Sequence, residues 1–414
     1  MRIAGGSVVT PDGVRTVDVV VEDGRVVALE PPSSGGEIDA GGCYVLPGGV
    51  DPHVHPFPDL EAAAAAAAGG GTTTMLAFTT PRPGERPAEA VLRMRARLGA
   101  DPEVTVSLHA AIWEPDLLDR SRLEELARIG ARGVKLYLAY PELGMLPSDR
   151  TLYETLRDAS RFGLLVMVHC ESSGAIEALV DEAVAAGRKD VRAFADTRPP
   201  AVEEEGVART LAYARLAGAP VYLVHLTTRR SLELVREARR LGQTVWAEAC
   251  THHLLLDDGG YERTGGERFA VVPPLRARGE VEALWAGVAD GTLDTVGSDH
   301  AQLPYSPRGE SDDFRSLPYG FRGVGLRFPL VLAEGIRRGL PLERLANLLA
   351  TGPARIFGVA PAKGAIAVGA DADLVVWDPR RMWSVEGGPP FGGLSAVGAI
   401  RAVLVRGRPV RVDA

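Results

Sequence analysis

Between about residue 50 and residue 300, short apolar runs alternate with longer segments whose apolar residues recur every three to four positions. The runs at Tyr44–Leu46, Thr72–Phe78, Val104–Leu108, Val134–Leu138, Leu164–Val168, Val221–Val224, Thr244–Ala247 and Thr295–Val296 are predicted strands. Between them, Ala88–Leu98, Arg122–Ile129, Leu152–Arg161, Ala175–Ala186, Val202–Leu216, Ser231–Leu241 and Glu280–Ala289 have helical spacing. Eight such β/α units predict a (β/α)8 barrel of the TIM type, a pattern that an open doubly wound sheet shares. The alanine run Ala62–Ala68 reads as a helix stopped by Gly69-Gly70-Gly71. Two more helical segments, Phe328–Arg337 and Leu342–Leu349, follow the eighth unit.

The two ends of the chain have a different texture. Residues 1–48 read as short strands with turns, Asp23-Gly24 being a strong hairpin signal, and β texture returns after residue 360. The expectation is a small β-sandwich domain built from both termini (1–48 and 360–414), with the α/β barrel (49–359) inserted between them.

Composition narrows the class of partner. The chain has 414 residues, 46% of them hydrophobic and 24% charged, enough for a sizeable core. A formal net charge of −8 offers no basic footprint for nucleic acid and no polybasic membrane patch. No apolar run is long enough to span a bilayer and the N-terminus lacks a signal-peptide core. The widely spaced Cys43, Cys170 and Cys250 argue against a disulfide framework, so a cytoplasmic location is expected.

A barrel carries its chemistry at the C-terminal ends of its strands. The first run leads into His53 and His55, which alternation places on one face of a strand, about 7 Å apart along it. The fourth carries Lys135 and Tyr140, the fifth ends in His169, the sixth in His225, and the eighth in Asp299 and His300. Singly, each has an ordinary explanation: a hydrogen-bonded boundary histidine, a lysine that snorkels to the rim, an aspartate that caps a helix. Together, His53, His55, His169 and His225 with Lys135 and Asp299 at strand ends point to a metal centre.

The motifs Pro47-Gly-Gly-Val-Asp-Pro-His-Val-His, Val134-Lys-Leu-Tyr-Leu-Ala-Tyr, Val168-His-Cys-Glu, Val224-His-Leu-Thr, Pro273-Pro-Leu-Arg and Val296-Gly-Ser-Asp-His resemble those of the amidohydrolase superfamily. Within it the chain looks like the cyclic amidohydrolases: dihydropyrimidinase, hydantoinase, allantoinase and dihydroorotase. The resemblance implies two divalent ions, zinc being expected, bridged by an N6-carboxylated Lys135. It assigns His53, His55 and Asp299 to the first ion, and His169 and His225 to the second. It also implies that a metal-bridging hydroxide opens a cyclic amide or ureide, with Asp299 carrying the proton and Tyr140 stabilising the oxyanion. His109, His252, His253 and His300 fall at family positions outside the metal set. A homo-oligomer, dimer or tetramer, is expected as well.

The substrate stays open. Tyr319 stands where hydantoinases have an asparagine, Val272 replaces a serine, and the span from His55 to Gly69 is short. Pro56-Phe57 in place of an arginine counts against dihydroorotase. Ser311-Asp312-Asp313-Phe314 resembles the hydantoinase version of that stretch, and the chain ends soon after its last strand. The rival readings are a non-catalytic scaffold homologue, which would have lost ligands, and a mononuclear deaminase, against which Lys135 and Tyr140 argue.

Overall fold

In the computed structural model, which describes residues 1–33, 35–56, 59–99, 102–301, 313–388 and 390–412, the run leading to His53 divides at Gly48. Tyr44–Pro47 pairs with Leu374–Trp377 in a sheet of the termini, whereas Gly49–His55 (β1) opens the barrel. The sequence expectation had made Tyr44–Leu46 the first barrel strand. The backbone shows why it is not: Gly48 N–H donates to Asp373 in one sheet, and Gly49 N–H donates to Gly71 in the other. Any side chain at Gly48 would lie 2.3 Å from the Thr73 hydroxyl, so only glycine permits the crossing.

The barrel continues through Thr72–Phe78 (β2), Thr105–Ala111 (β3), Gly133–Tyr137 (β4), Leu165–His169 (β5), Val221–Leu223 (β6), Val245–Cys250 (β7) and Thr295–Gly297 (β8). Each strand is parallel to the next. The chain then breaks at Ser298-Asp299 and resumes as His300–Ala301 (β9), which pairs with Val54 and His55 of β1. The interrupted last strand thus closes the ring, and the open doubly wound alternative is ruled out.

Helices cover the outside. The alanine-rich helix runs over Leu60–Gly69, capped by Asp59, whose side chain accepts from Ala62 N–H at 3.0 Å. Its small residues let it sit close to the helix Val324–Arg337, since a Cβ at Gly70 would lie 2.0 Å from the Gly325 carbonyl oxygen. A short helix over Val191–Asp196 had no counterpart in the sequence reading.

The termini form two sheets. One joins Arg408–Val410, Ser395–Val405, Leu374–Ser384, Tyr44–Pro47, Ser7–Thr10 and Gly13–Thr16; the other joins Arg25–Glu30, Asp18–Glu22, Arg2–Ala4 and Ile38–Asp39. They share a core that includes Ile3, Val19, Val45, Leu374 and Leu404, which makes the sandwich. Asp23 and Gly24 both take positive φ, 47° and 77°, and form the hairpin turn that their sequence announces. Among the described residues, no helix is long and apolar enough to cross a membrane.

A buried ion pair ties the barrel's first strand to the helix behind its last. Asp51 and Arg327 are both 0% exposed, with Oδ2 and Nε 3.5 Å apart. Asp51 Oδ1 also accepts from the backbone N–H groups of His53 and Ser298, each at 3.1 Å. Arg327 donates to the carbonyls of Val296 and Leu349. Removing one partner strands the other charge in the core, so Arg327→Met should cost roughly 3–5 kcal/mol of stability. Urea unfolding checks this; a loss below about 1 kcal/mol would mean that Asp51 is not held as a charge.

Candidate active site

The strand ends bring the six proposed ligands to one mouth of the barrel. His53 and His55 share a face of β1, Lys135 points inward from the middle of β4, and His169 is the last residue of β5. His225 lies two residues past β6, and Asp299 occupies the break between β8 and β9. All six line one cavity of about 440 Å³, together with Tyr140, Tyr319 and Trp113.

Three of these positions are held in an unusual backbone conformation. Tyr140, His225 and Asp299 have φ of 61°, 38° and 46°, in the left-handed region that non-glycine residues avoid. Such strain persists only where the surroundings fix it, and it collects at functional sites. It aims each side chain into the cavity just after its strand has ended.

On the β1 side, Nε2 of His53 lies 3.3 Å from Nε2 of His55 and 3.1 Å from Asp299 Oδ1. His55 Nε2 lies 3.4 Å from the same oxygen. These atoms fall within 4.8 Å of one another, as the ligands of a single ion must. On the other side, the rings of His169 and His225 meet edge to face with centroids 4.5 Å apart, and His225 lies 5.6 Å from His53. The two groups of side chains therefore adjoin.

Lys135 stands between aromatic rings, its Nζ 5.2 Å from the centre of Phe78 and 5.4 Å from that of Tyr137. It is 1% exposed and makes no ion pair among the described residues. Burial lowers it to about 8, against the pull of Asp299 and Glu248. Burial also lowers His53, but the Glu248 and Asp299 carboxylates outweigh it and bring that imidazole up to about 9. His55, with less opposing charge, falls to about 3 through burial. Burial pushes Asp299 up, yet His53 and His55 hold it well below the ordinary carboxylate range. Most of these nitrogens are thus shifted toward their neutral form beside an ionised carboxylate, and such imidazole and carboxylate donors suit a divalent ion.

Two carboxylates behind the proposed ligands escaped the sequence reading. His53 donates from Nδ1 to Glu248 Oε1 at 2.6 Å, which leaves Nε2 as its free donor atom. His169 donates from Nε2 to Glu171 Oε2 at 2.7 Å, which leaves Nδ1. Arg198 reaches Glu171 at 3.1 Å, and it and His169 hold that carboxyl below its ordinary value although burial raises it. Glu171 was visible in His-Cys-Glu, two residues from a candidate ligand. Glu248 was hidden because the predicted seventh strand stopped at Ala247, whereas β7 runs to Cys250.

The remaining histidines lie around the site and do not line the cavity. His109 packs between Phe78 and Phe357, His253 Nε2 donates to the Pro273 carbonyl at 2.9 Å, and His300 Nδ1 accepts from Val324 N–H at 3.3 Å. His252 is buried against His253 and Phe321. Tyr319 and Val272 both line the cavity, and the Tyr319 ring lies parallel to that of Tyr140, centroids 6.3 Å apart and planes 7° from parallel. Phe57 and the pair Ser311-Asp312 lie outside the described residues.

Comparison with known proteins gives a consistent picture. The amidohydrolase family matches residues 44–410. A D-hydantoinase of Ralstonia pickettii is 36% identical over 434 residues, covering 99% of this chain and 94% of that protein. An allantoinase of Solibacter usitatus is 37% identical, covering 99% and 93%. The crystal structure of a dihydropyrimidinase from Brevibacillus agri superposes with a TM-score of 0.93 at 32% identity, covering 99% of this chain and 95% of that one.

Proposed function

The chain belongs to the amidohydrolase family, and on that premise we propose that it hydrolyses a C–N bond of a cyclic amide or ureide of the hydantoin and dihydropyrimidine kind. The centre we propose holds two divalent ions, zinc being expected, with Lys135 carboxylated between them. The observation that carries this is the joint placement of His53, His55, Lys135, His169, His225 and Asp299 in one cavity. A non-catalytic scaffold has no reason to keep all six.

Lys135 fits the carbamate. Burial favours its neutral amine, the form that attacks CO₂; the new N–C bond forms, a proton leaves, and an anion replaces an isolated buried cation. Bound divalent ions would supply Lewis acidity and lower the pKa of water toward neutrality. His53, His55 and Asp299 would hold one and His169 and His225 the other, with Glu248 and Glu171 fixing the tautomers of two of these rings. Asp299, facing the cavity, takes the proton of the attacking water and returns it to the departing nitrogen. Tyr140 keeps its proton, because burial raises its phenol well above the ordinary value, so its hydroxyl can donate to the oxyanion. Tyr140→Phe should lower kcat about 10²–10³-fold with a smaller change in KM, as steady-state kinetics will show; a kcat within threefold of the parent removes this role.

The cavity wall indicates the ring. Trp113, Leu143, Met145, Val271 and Val272 are apolar, and no arginine is among the described residues that line it. An uncharged ring with an apolar substituent fits, and a carboxylate-bearing ring such as dihydroorotate finds no arginine partner among the described lining residues. The 37% identity to an allantoinase supports allantoin as the second candidate. Metal analysis with a panel of 5-substituted hydantoins, dihydrouracil, allantoin and dihydroorotate tests the proposal. Two metals per chain and opening of a neutral ring are expected; two metals with no ring opened would overturn the substrate class.

The three cysteines are free and buried, which supports a reducing, cytoplasmic setting. Met382 and Val397 face each other across a strand pair at 72% and 56% exposure, a surface suited to the homo-oligomer that we also propose.

A further inference from the structure

Glu248 does more than orient one histidine. Its carboxylate is fully buried on β7 and reaches groups on three other parts of the barrel. Oε1 accepts from Nδ1 of His53 at 2.6 Å and from the backbone N–H of His225 at 3.2 Å. Oε2 accepts from the Tyr222 hydroxyl at 2.7 Å, and that hydroxyl lies 2.6 Å from Thr295 Oγ1. One oxygen thus touches a ligand of each half-site, and the other is anchored to β6 and, through Thr295, to β8. Space is kept for it: a Cβ on Gly297 would come within 2.8 Å of His53 Cβ and 3.0 Å of the Glu248 carboxyl carbon.

We infer that Glu248 is a positioning residue shared by both metal half-sites, setting the span between the His53 and His225 imidazoles. This rests on the two-metal reading given above. The His225 backbone sits at φ 38°, a conformation that needs external support, and the bond from its N–H to Glu248 provides it. The same carboxylate keeps the proton on Nδ1 of His53. Glu171, by contrast, touches the His169 side alone.

The test compares Glu248→Gln, Glu248→Ala and Glu171→Gln, each first checked for folding by circular dichroism and thermal unfolding. Glutamine can still accept from His53 and His225 through its carbonyl oxygen and meet Tyr222 through its amide, so it removes charge while keeping shape. Chelator competition on the loaded enzyme should show both metals held about 10–100-fold more weakly in Glu248→Ala, a smaller loss in Glu248→Gln, and only one metal weakened in Glu171→Gln. Loss confined to one metal in Glu248→Ala, or to neither, would overturn the shared role. A second readout needs no metal: in the metal-free protein, Glu248→Ala should speed hydrogen exchange at the His225 amide, and unchanged exchange there also overturns the inference. If the parent enzyme holds fewer than two metals, the two-metal reading falls, and the exchange measurement decides the Glu248–His225 link by itself.

Discussion

Lys135→Ala is expected to lower turnover on the order of 10⁴-fold and to leave fewer than two metals per chain, while the protein stays folded. The two effects separate because of where Lys135 stands. Its Nζ lies between the Phe78 and Tyr137 rings, buried, with no ion pair among the described residues. An unmodified ammonium there is a cost to folding, so in the metal-free proteins its removal should not lower the melting temperature and can raise it. What disappears is the anion that a carbamate would place between the two half-sites. Metal analysis after growth under CO₂-replete conditions, with kcat and a thermal melt, reads all three quantities. Two tightly held metals in the alanine variant would show that the carbamate assignment is wrong.

Asp299→Asn should reduce kcat by a similar order, roughly 10⁴-fold, with KM changing far less. Asparagine is the right replacement because Asp299 has φ 46°, and asparagine tolerates that region where alanine would be strained. The side chain keeps its shape facing Nε2 of His53 and His55 but can no longer take a proton. The variant also withdraws one negative charge from beside His53, which weakens the hold on a cation at that half-site. Steady-state kinetics at saturating metal separates lost proton transfer from lost occupancy. Activity within tenfold of the parent at full occupancy would assign the proton transfer to another group.

The predictions from Tyr140→Phe and Arg327→Met probe different layers. One removes a hydroxyl that faces the cavity, the other a charge that no substrate reaches. A variant panel in which only the latter loses stability would separate the chemistry of the mouth from the scaffold behind it.

Much of this site was legible along the chain because its proposed ligands sit at strand ends. Alternation puts His53 and His55 on one face whatever surrounds them. An ionisable residue inside an apolar run, such as Lys135, draws attention because burial needs a reason. The same reading misplaced Tyr44–Leu46, since one apolar run looks like one strand until a glycine passes it between sheets. It also stopped the seventh strand before Glu248, because nothing local marks that glutamate as turned toward a histidine 195 residues away.

The sequence by itself determined the alternation of strands and helices, the residues able to bind a metal, and the family to which their order belongs. The first two follow from periodicity and side-chain chemistry, which are local properties, and the third from the resemblance of its ordered motifs. Only the tertiary structure decided that β9 closes the barrel onto β1, and that Asp299 comes to lie 3.1 Å from His53. It alone placed Glu248 against both His53 and His225 and turned Tyr140, His225 and Asp299 inward by left-handed backbone. Those outcomes depend on contacts between residues far apart in the chain. Such contacts form only when the whole barrel packs, and no window of sequence contains them.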